Sequence, residues 1–239
     1  MALTQITSTV WQLPMPVGHV YFKRLADGYA VVDTGVPGSA IAVLDALTQL
    51  DAGPEDLRQI VLTHSHIDHA GAAADLVAVT GARVFAGVLD APVIRGDVPE
   101  PTPAYTPAED ELHRRITEGW AKADSPPLKY VPVDVELHDG DSLDGWGEPV
   151  HVVHVPGHTL GSIALHLPGS ALLFPGDIIA TAEGRAILGP FNIDRDHAVA
   201  SFRRLVDLDP EIVCVPHGDP ITSDASAVLR AATPESDWL

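Results

Sequence analysis

The chain crowds histidine and aspartate into residues 63–69, which read THSHIDH. His64 and His66 are two positions apart, so in an extended segment both rings project to one side and can bind one metal ion. Asp68 and His69 follow where the chain can reverse and aim a second pair of ligands at a neighbouring position. Imidazoles and carboxylates are ordinary zinc ligands, and burying this many without a partner would be costly. The stretch therefore predicts a site for two metal ions rather than a solvated polar turn.

Three later motifs offer further ligands, each at the end of an apolar run that resembles a strand. They are VPGHT around His158, LFPGD ending at Asp177, and VPHGD around His217. In each motif a Pro or Pro-Gly turn stops the strand and leaves a metal-ligand side chain at its C-terminal tip. We expect these three side chains to complete the site.

The elements that must position these residues are predicted from periodicity and turn signals. Runs rich in β-forming residues predict strands over residues 7–13, 20–23, 29–32, 59–62, 82–85, 131–137, 151–155, 162–167, 171–174 and 212–215. Apolar spacing predicts helices over residues 38–50, 70–79, 197–208 and 223–231. This order favours a sheet-on-sheet core with helices outside.

Between about residues 92 and 132 the pattern changes to frequent prolines around one polar, helical piece at 107–121. We expect one domain over residues 1–239, in which this segment is an insertion. It is either a flexible surface loop or a lid over the site, because long loops in compact domains are often functional. Its aromatic residues Tyr105, Trp120 and Tyr130 are candidates for an apolar wall, the alternative being ordinary packing.

The motifs, in their order along the chain, resemble those of the metallo-β-lactamase-fold hydrolases, which include glyoxalase II and the acyl-homoserine lactonases. They run from Asp33 in VVDTG through THSHIDH, PGHTLGS and FPGD to His217 in PHGD. The resemblance implies an α+β fold class, a four-layer αββα sandwich with the metals at one edge of its two sheets. That architecture agrees with the sheet-rich pattern.

The resemblance also implies how the ligands are shared between two divalent metal ions. The first ion would be held by His64, His66 and His158, and the second by Asp68, His69 and His217, with Asp177 bridging both. Asp33 would orient a ligand histidine from behind, as outer carboxylates do. We expect Zn²⁺, while iron and manganese are alternatives that the same ligand set accepts.

Two divalent ions lower the pKa of a shared water, so hydroxide becomes available at neutral pH. A metal-bound hydroxide is then the expected nucleophile, because the chain has no G-x-S-x-G elbow and Cys214 falls inside a predicted strand. Asp68 is also a candidate catalytic residue, which would orient the water and pass a proton to the leaving group. We therefore predict a dinuclear zinc hydrolase of a small ester, lactone or thioester.

Two alternatives stay open. Iron-dependent persulfide dioxygenases belong to the same superfamily and use the counterparts of His64, His158 and Asp177 as a facial triad. Their stretch after the bridging aspartate is rich in Arg, Gly and Cys. Here the stretch reads GDIIATAEGRAILGPFNIDRD, so a persulfide dioxygenase is the second hypothesis, after the hydrolase. A non-catalytic metal-binding scaffold is the weaker alternative. Full-length glyoxalase II adds a C-terminal helical domain that recognises glutathione; because this chain ends soon after His217, we expect other thioesters or lactones.

Substrate contacts must come from loops near the ligands. The candidates are Met15 and His19 in the first hairpin, and Phe191 and Asn192 in the loop that follows Asp177.

A net charge of −19 without a basic stripe disfavours nucleic acid as a partner. No apolar run approaches the roughly 18 residues of a membrane span, and the N-terminus lacks signal-peptide features. We expect a cytoplasmic protein with a small-molecule substrate and no membrane partner, and leave a homodimer open.

Overall fold

Seven strands of the first sheet follow one another both in space and along the chain. The computed structural model describes residues 1–103, 105–122 and 126–238, and for residues 119–122 the backbone alone. In this part of the chain the sheet consists of β1 (Thr4–Gln5), β2 (Val10–Leu13), β3 (Val20–Arg24), β4 (Tyr29–Val32), β5 (Leu57–Leu62), β6 (Arg83–Gly87) and β7 (Val135–Leu137). The pairs from β1 to β4 are antiparallel, and those from β4 to β7 are parallel.

The parallel half of this sheet decides where the polar residues meet. Because parallel strands end at the same edge, the residues that follow β4, β5 and β6 come together there. Asp33 follows β4, Thr63 and His64 follow β5, and Asp90 lies three residues beyond β6. This edge therefore collects carboxylates and imidazoles from three separate parts of the chain.

A second, smaller sheet supplies the other side of the sandwich. Its strands are β8 (His151–His154), β9 (Ile163–Leu167), β10 (Leu172–Phe174) and β13 (Ile212–Val213), and a separate hairpin is formed by β11 (Ile179–Ala182) and β12 (Arg185–Leu188). β9 runs antiparallel to β8 and β10, and β13 runs parallel to β10. The C-terminal ends of β8, β10 and β13 therefore point the same way, and they precede His158, Asp177 and His217.

Helices cover the outer faces of both sheets. They are α1 (Ala40–Gln49), α2 (Ile67–Ala70), α3 (Ala73–Thr80), α4 (Ala91–Ile94), α5 (Pro107–Lys122), α6 (Arg195–Val206) and α7 (Ala225–Arg230). Within the described ranges no helix combines the length and apolarity needed to cross a bilayer.

Three apolar clusters separate four layers. Because side chains alternate along a strand, Ile60 of β5 packs with α1 and α3 residues such as Leu47, while its neighbour Val61 packs with Phe174 of the second sheet. The third cluster joins the second sheet to α6 and α7, where Phe202 is fully buried. The arrangement is the αββα sandwich that the sequence predicts.

Several elements differ from the sequence prediction. The strand expected over 131–137 shortens to β7, because Pro132 cannot donate to a ladder and Val131 instead donates to the carbonyl of Ile94.

The hairpin β11–β12 falls in a stretch predicted to be a loop. It turns at Glu183 and Gly184, both with positive φ, and Glu-Gly is a weaker hairpin signal than Asn-Gly or Asp-Gly. The lid-like insertion at 92–132 contains α4 and α5, and its role as a lid stays a prediction.

Candidate metal centre

Three imidazoles converge at the edge where the two sheets meet. Nε2 of His64 lies 3.0 Å from Nδ1 of His66, and Nε2 of His158 lies 2.8 Å from that Nδ1 and 3.2 Å from the His64 nitrogen. Burial and the neighbouring histidines lower the pKa of His64 well below its usual range, and the same causes lower the pKa of His158 to about 3. The neutral rings of His64 and His158, with Nδ1 of His66 beside them, can present lone pairs to a common point, which suits a cation.

A second group lies beside the first. Nε2 of His217 is 3.3 Å from Oδ2 of Asp68, and Nε2 of His69 is 3.6 Å from the same oxygen. Burial opposes ionisation of Asp68, but His69 and His217 outweigh it and hold its pKa at about 2. Burial also opposes protonation of His217, and here the carboxylates of Asp177 and Asp68 raise the pKa to about 10.

Asp177 faces both groups. Its Oδ1 lies 3.2 Å from Nε2 of His69, and its Oδ2 lies 3.2 Å from Nε2 of His217 and 3.4 Å from Nε2 of His158. Each group offers one ligand atom per residue within 4.8 Å of the others, with Asp177 counted in the first. The structure thus brings together all seven side chains that the sequence predicts as ligands.

The donor set fits a pair of divalent ions. Among the described residues, the buried Nε2 of His69 and Oδ1 of Asp177 have no hydrogen-bond partner, although both point into the centre. A buried polar atom without a partner is costly, and a cation between the groups would satisfy both atoms. Nitrogen and carboxylate ligands without thiolate are compatible with zinc, iron or manganese.

Asp33 supports the centre from behind. Its Oδ2 lies 2.9 Å from Nδ1 of His69, and its carboxylate accepts hydrogen bonds from the backbone N–H and the hydroxyl of Thr63. The Thr63 hydroxyl is in turn 3.0 Å from Nδ1 of His64. One carboxylate therefore orients a histidine in each group, which is the place predicted for it.

Asp90 was not predicted as part of the site. This buried carboxylate accepts hydrogen bonds from the backbone N–H groups of Ser65 and Gly161 and from the hydroxyl of Thr159. It thereby ties the loop that carries His64 and His66 to the loop that carries His158. The missed signal was its position after β6, next to β5 in a parallel sheet.

Glu100 was also missed. Its Oε1 lies 3.0 Å from Nε2 of His66, on the side of the ring that faces away from the other histidines. Burial opposes protonation of His66, but the hydrogen bond and charge of Glu100 raise its pKa. Nothing in the proline-rich sequence around Glu100 distinguishes it from the other acidic residues of the segment.

The predicted substrate residues lie in two different settings. Met15 is buried in the apolar cluster beneath α1, and His19 contacts the backbone N–H of Met15 through Nδ1 and the carbonyl of Gly218 through Nε2. Phe191, at φ +68°, donates its N–H to Glu109 of α5, and the buried Asn192 donates to the carbonyl of Gly189. A substrate contact for any of these four remains a prediction.

Of the predicted aromatic wall, Tyr105 packs against Phe191 with ring centroids 5.5 Å apart. Tyr130 is mostly exposed, and the side chain of Trp120 lies outside the described residues. The loop that carries Phe191 adjoins the metal centre, because Ile193 donates its N–H to the carbonyl of His158. The backbone that follows Phe191 therefore contacts the backbone of one of the candidate ligands.

Comparison with known proteins agrees with this geometry. A family model described as the metallo-β-lactamase superfamily matches residues 16–217. The hydroxyacylglutathione hydrolase of Cereibacter sphaeroides is 34% identical over 231 residues, which cover 93% of this chain and 73% of that protein. The probable metallo-hydrolase YflN of Bacillus subtilis is 27% identical over 234 residues, which cover 88% of this chain and 84% of that protein.

Solved structures share the fold. A metallo-β-lactamase family protein from Thermus thermophilus has a TM-score of 0.66 at 24% identity, over 95% of this chain and 78% of that chain. The subclass B3 metallo-β-lactamase BJP-1 of Bradyrhizobium japonicum has a TM-score of 0.66 at 19% identity, over 95% of this chain and 88% of that chain. At these identities the two structures show the common fold alone, and they confirm the predicted architecture.

Proposed function

The chain belongs to the metallo-β-lactamase superfamily, and on this premise we propose that it is a dinuclear zinc hydrolase that cleaves a small thioester, ester or lactone. The observation that carries the proposal is the position of Asp177 between the two groups: its Oδ1 faces His69, and its Oδ2 faces both His158 and His217. A carboxylate in this position can bridge two ions, and two adjacent ions suit hydrolysis at a carbonyl.

In this proposal each side chain has a defined task. His64, His66 and His158 would hold the first ion, Asp68, His69 and His217 the second, and Asp177 both. The bound ions would polarise the substrate carbonyl and lower the pKa of a shared water. Asp68 is the candidate for proton transfer to the leaving group, because its side chain is 15% exposed and so reaches the open side of the centre.

The thioester is the first substrate class to test. The relative from Cereibacter sphaeroides is named a hydroxyacylglutathione hydrolase, and glutathione esters of that kind are thioesters. Tyr105 and Phe191 pack together, and the loop of Phe191 contacts the backbone of His158, which supports a substrate with an apolar portion. Esters and lactones present the same carbonyl carbon to the centre and belong in the same panel.

The test combines metal content with a hydrolysis panel. Protein purified without added metal is analysed by inductively coupled plasma mass spectrometry and assayed on an ester, a lactone and a thioester. We expect about two zinc ions per chain and turnover of at least one substrate. His158→Ala should remove turnover mainly through kcat.

Cys214→Ser serves as the matched control, because the buried thiol lies in the sheet-to-sheet cluster and takes no part in the proposed chemistry. It should retain turnover. A single iron per chain with no hydrolysis would overturn the proposal and direct the assays to oxygen consumption with persulfides.

A further inference from the structure

A carboxylate from the segment between α4 and α5 reaches one candidate ligand from outside. Glu100 Oε1 lies 3.0 Å from Nε2 of His66, while Nδ1 of the same ring faces His64 and His158. With Nε2 directed at a carboxylate, the ring carries its proton there and leaves the lone pair of Nδ1 free for a metal. The contact therefore selects the tautomer that the centre needs.

The partner of His66 differs in kind from those of His64 and His69. Nδ1 of His64 contacts the hydroxyl of Thr63, and Nδ1 of His69 contacts Asp33; both partners are buried and follow strands of the first sheet. The Glu100 side chain is instead 42% exposed and belongs to a loop. Orientation of His66 thus depends on a part of the chain that the sheet does not fix directly.

Residues 97–103 lie beside the segment that leads into β7. In that segment the ring of Tyr130 packs against Gly96, where an added Cβ would come within 2.6 Å of it, and Lys129 pairs with Asp75 of α3 at 2.6 Å. Beneath the loop lies a cavity of about 60 Å³, lined by Ser65 and Glu100 among others. The cavity leaves the inner side of the loop incompletely packed.

We propose that Glu100 is a positioning residue that holds the His66 ring and so couples metal affinity at the first group to the seating of residues 97–103. The inference rests on the proposed metal binding by His66, but it does not depend on the substrate. Coupling between two equilibria is reciprocal. Metal loading should therefore stabilise the seated loop by the same factor by which the seated loop strengthens metal binding.

The test measures binding rather than turnover. Glu100→Ala and Glu100→Gln are made in a His217→Asn background, which weakens the second group and leaves the three histidines of the first in place. Affinity for Zn²⁺ is measured by competition with a chelator, and the ligand field is followed by the visible spectrum of the Co²⁺-loaded protein. We expect Glu100→Ala to weaken Zn²⁺ binding about tenfold, and Glu100→Gln less, since its amide oxygen still accepts from Nε2–H.

Glu111→Ala is the matched control. Glu111 is an exposed carboxylate of α5 and pairs with Arg114 of the same helix at 2.7 Å. The affinity of this variant should equal that of the background protein.

A second readout tests the reciprocal effect. Hydrogen exchange at residues 97–103 should slow on Zn²⁺ loading in the unsubstituted protein, and this gain should disappear in Glu100→Ala. Unchanged affinity and an unchanged exchange response in Glu100→Ala would overturn the inference. A protein that binds zinc with the expected Glu100 dependence but hydrolyses no substrate would overturn the proposed function and leave this inference intact.

Discussion

Asp33 holds His69 from behind, with Oδ2 of the carboxylate 2.9 Å from Nδ1 of the ring. The same carboxylate accepts two hydrogen bonds from Thr63, whose hydroxyl contacts His64. Asp33 has φ +60°, a left-handed conformation that Asp and Asn adopt more readily than most residues. The backbone at the end of β4 therefore suits a residue of this shape.

Asp33→Asn should weaken metal binding without unfolding the protein. Asparagine keeps the shape and tolerates the positive φ, but it removes the charge that orients His69. We expect a loss of about 10-fold to 100-fold in affinity for the second metal ion, as for other outer carboxylates. Chelator competition measures it, with Asp134→Asn as a control, since Asp134 accepts from Val84 at the far side of the sheet. Equal affinities in the Asp33 variant and the unsubstituted protein would contradict the assignment.

Asp90→Ala should destabilise the fold as well as the centre. The hydroxyl of Thr159 can turn to Ser162, 2.6 Å away, but the backbone N–H groups of Ser65 and Gly161 would stay buried without this acceptor. Two unsatisfied donors cost about 3 kcal/mol together. Urea unfolding measures the change, and Asp141→Ala, which removes an exposed acceptor, should stay within about 0.5 kcal/mol. A loss in Asp90→Ala no larger than in this control would contradict the role of Asp90.

Gly18 and Gly81 have similar backbone angles, so their alanine variants distinguish the cost of backbone strain from the effect of a steric clash. At Gly18, with φ +62°, an added Cβ would clash with the carbonyl oxygen of Asp68; at Gly81, with φ +67°, it would meet nothing within 4 Å. Both alanine variants carry the strain of a left-handed residue, about 1 kcal/mol. Only Gly18→Ala should also displace Asp68 and lower kcat/KM. Similar kcat/KM values for the two variants would show that the hairpin does not position Asp68.

Removal of metal should make stability fall as the pH rises above about 6.5, the ordinary histidine pKa. In the folded, metal-stripped chain, burial opposes protonation of His217, but Asp177 and Asp68 raise its pKa to about 10. A raised histidine pKa stabilises the fold fully below the unfolded value, and that stabilisation is lost as the pH approaches the folded value. The loss for one histidine is at most about 1.4 kcal/mol per pH unit.

Urea unfolding of metal-stripped protein at pH 7 and pH 8.5 measures this dependence. The decrease should be smaller in His217→Asn than in the unsubstituted chain. With metal bound the sign should reverse, because metal and protons compete for the same nitrogens and binding strengthens as protons leave. The same slope in both metal-stripped proteins would contradict the raised pKa of His217.

Local sequence patterns indicate the ligand residues that follow predicted strands. Asp177 and His217 follow predicted strands that Pro or Pro-Gly stops, and His64 follows the apolar run at 59–62, so their types and positions were readable from the chain. The order of elements indicated a sheet-on-sheet core with helices outside, and the family resemblance implied the αββα architecture. Asp90 and Glu100 were missed because their importance arises from tertiary contacts. Asp90 matters through the pairing of β6 beside β5, and Glu100 through the seating of a loop whose composition indicates no conformation.

The candidate ligands come from both sheets, and this has a consequence for the order of folding. Four of them fall within residues 64–69, but His158 joins His64 across 94 residues. A loop of that length closes slowly, so a metal ion meets its full ligand set only after the two sheets have docked. An interaction formed after the rate-limiting step slows unfolding and leaves the folding rate almost unchanged. The metal should therefore prolong the lifetime of the native protein by slowing its unfolding, and it should have little effect on how fast the chain folds.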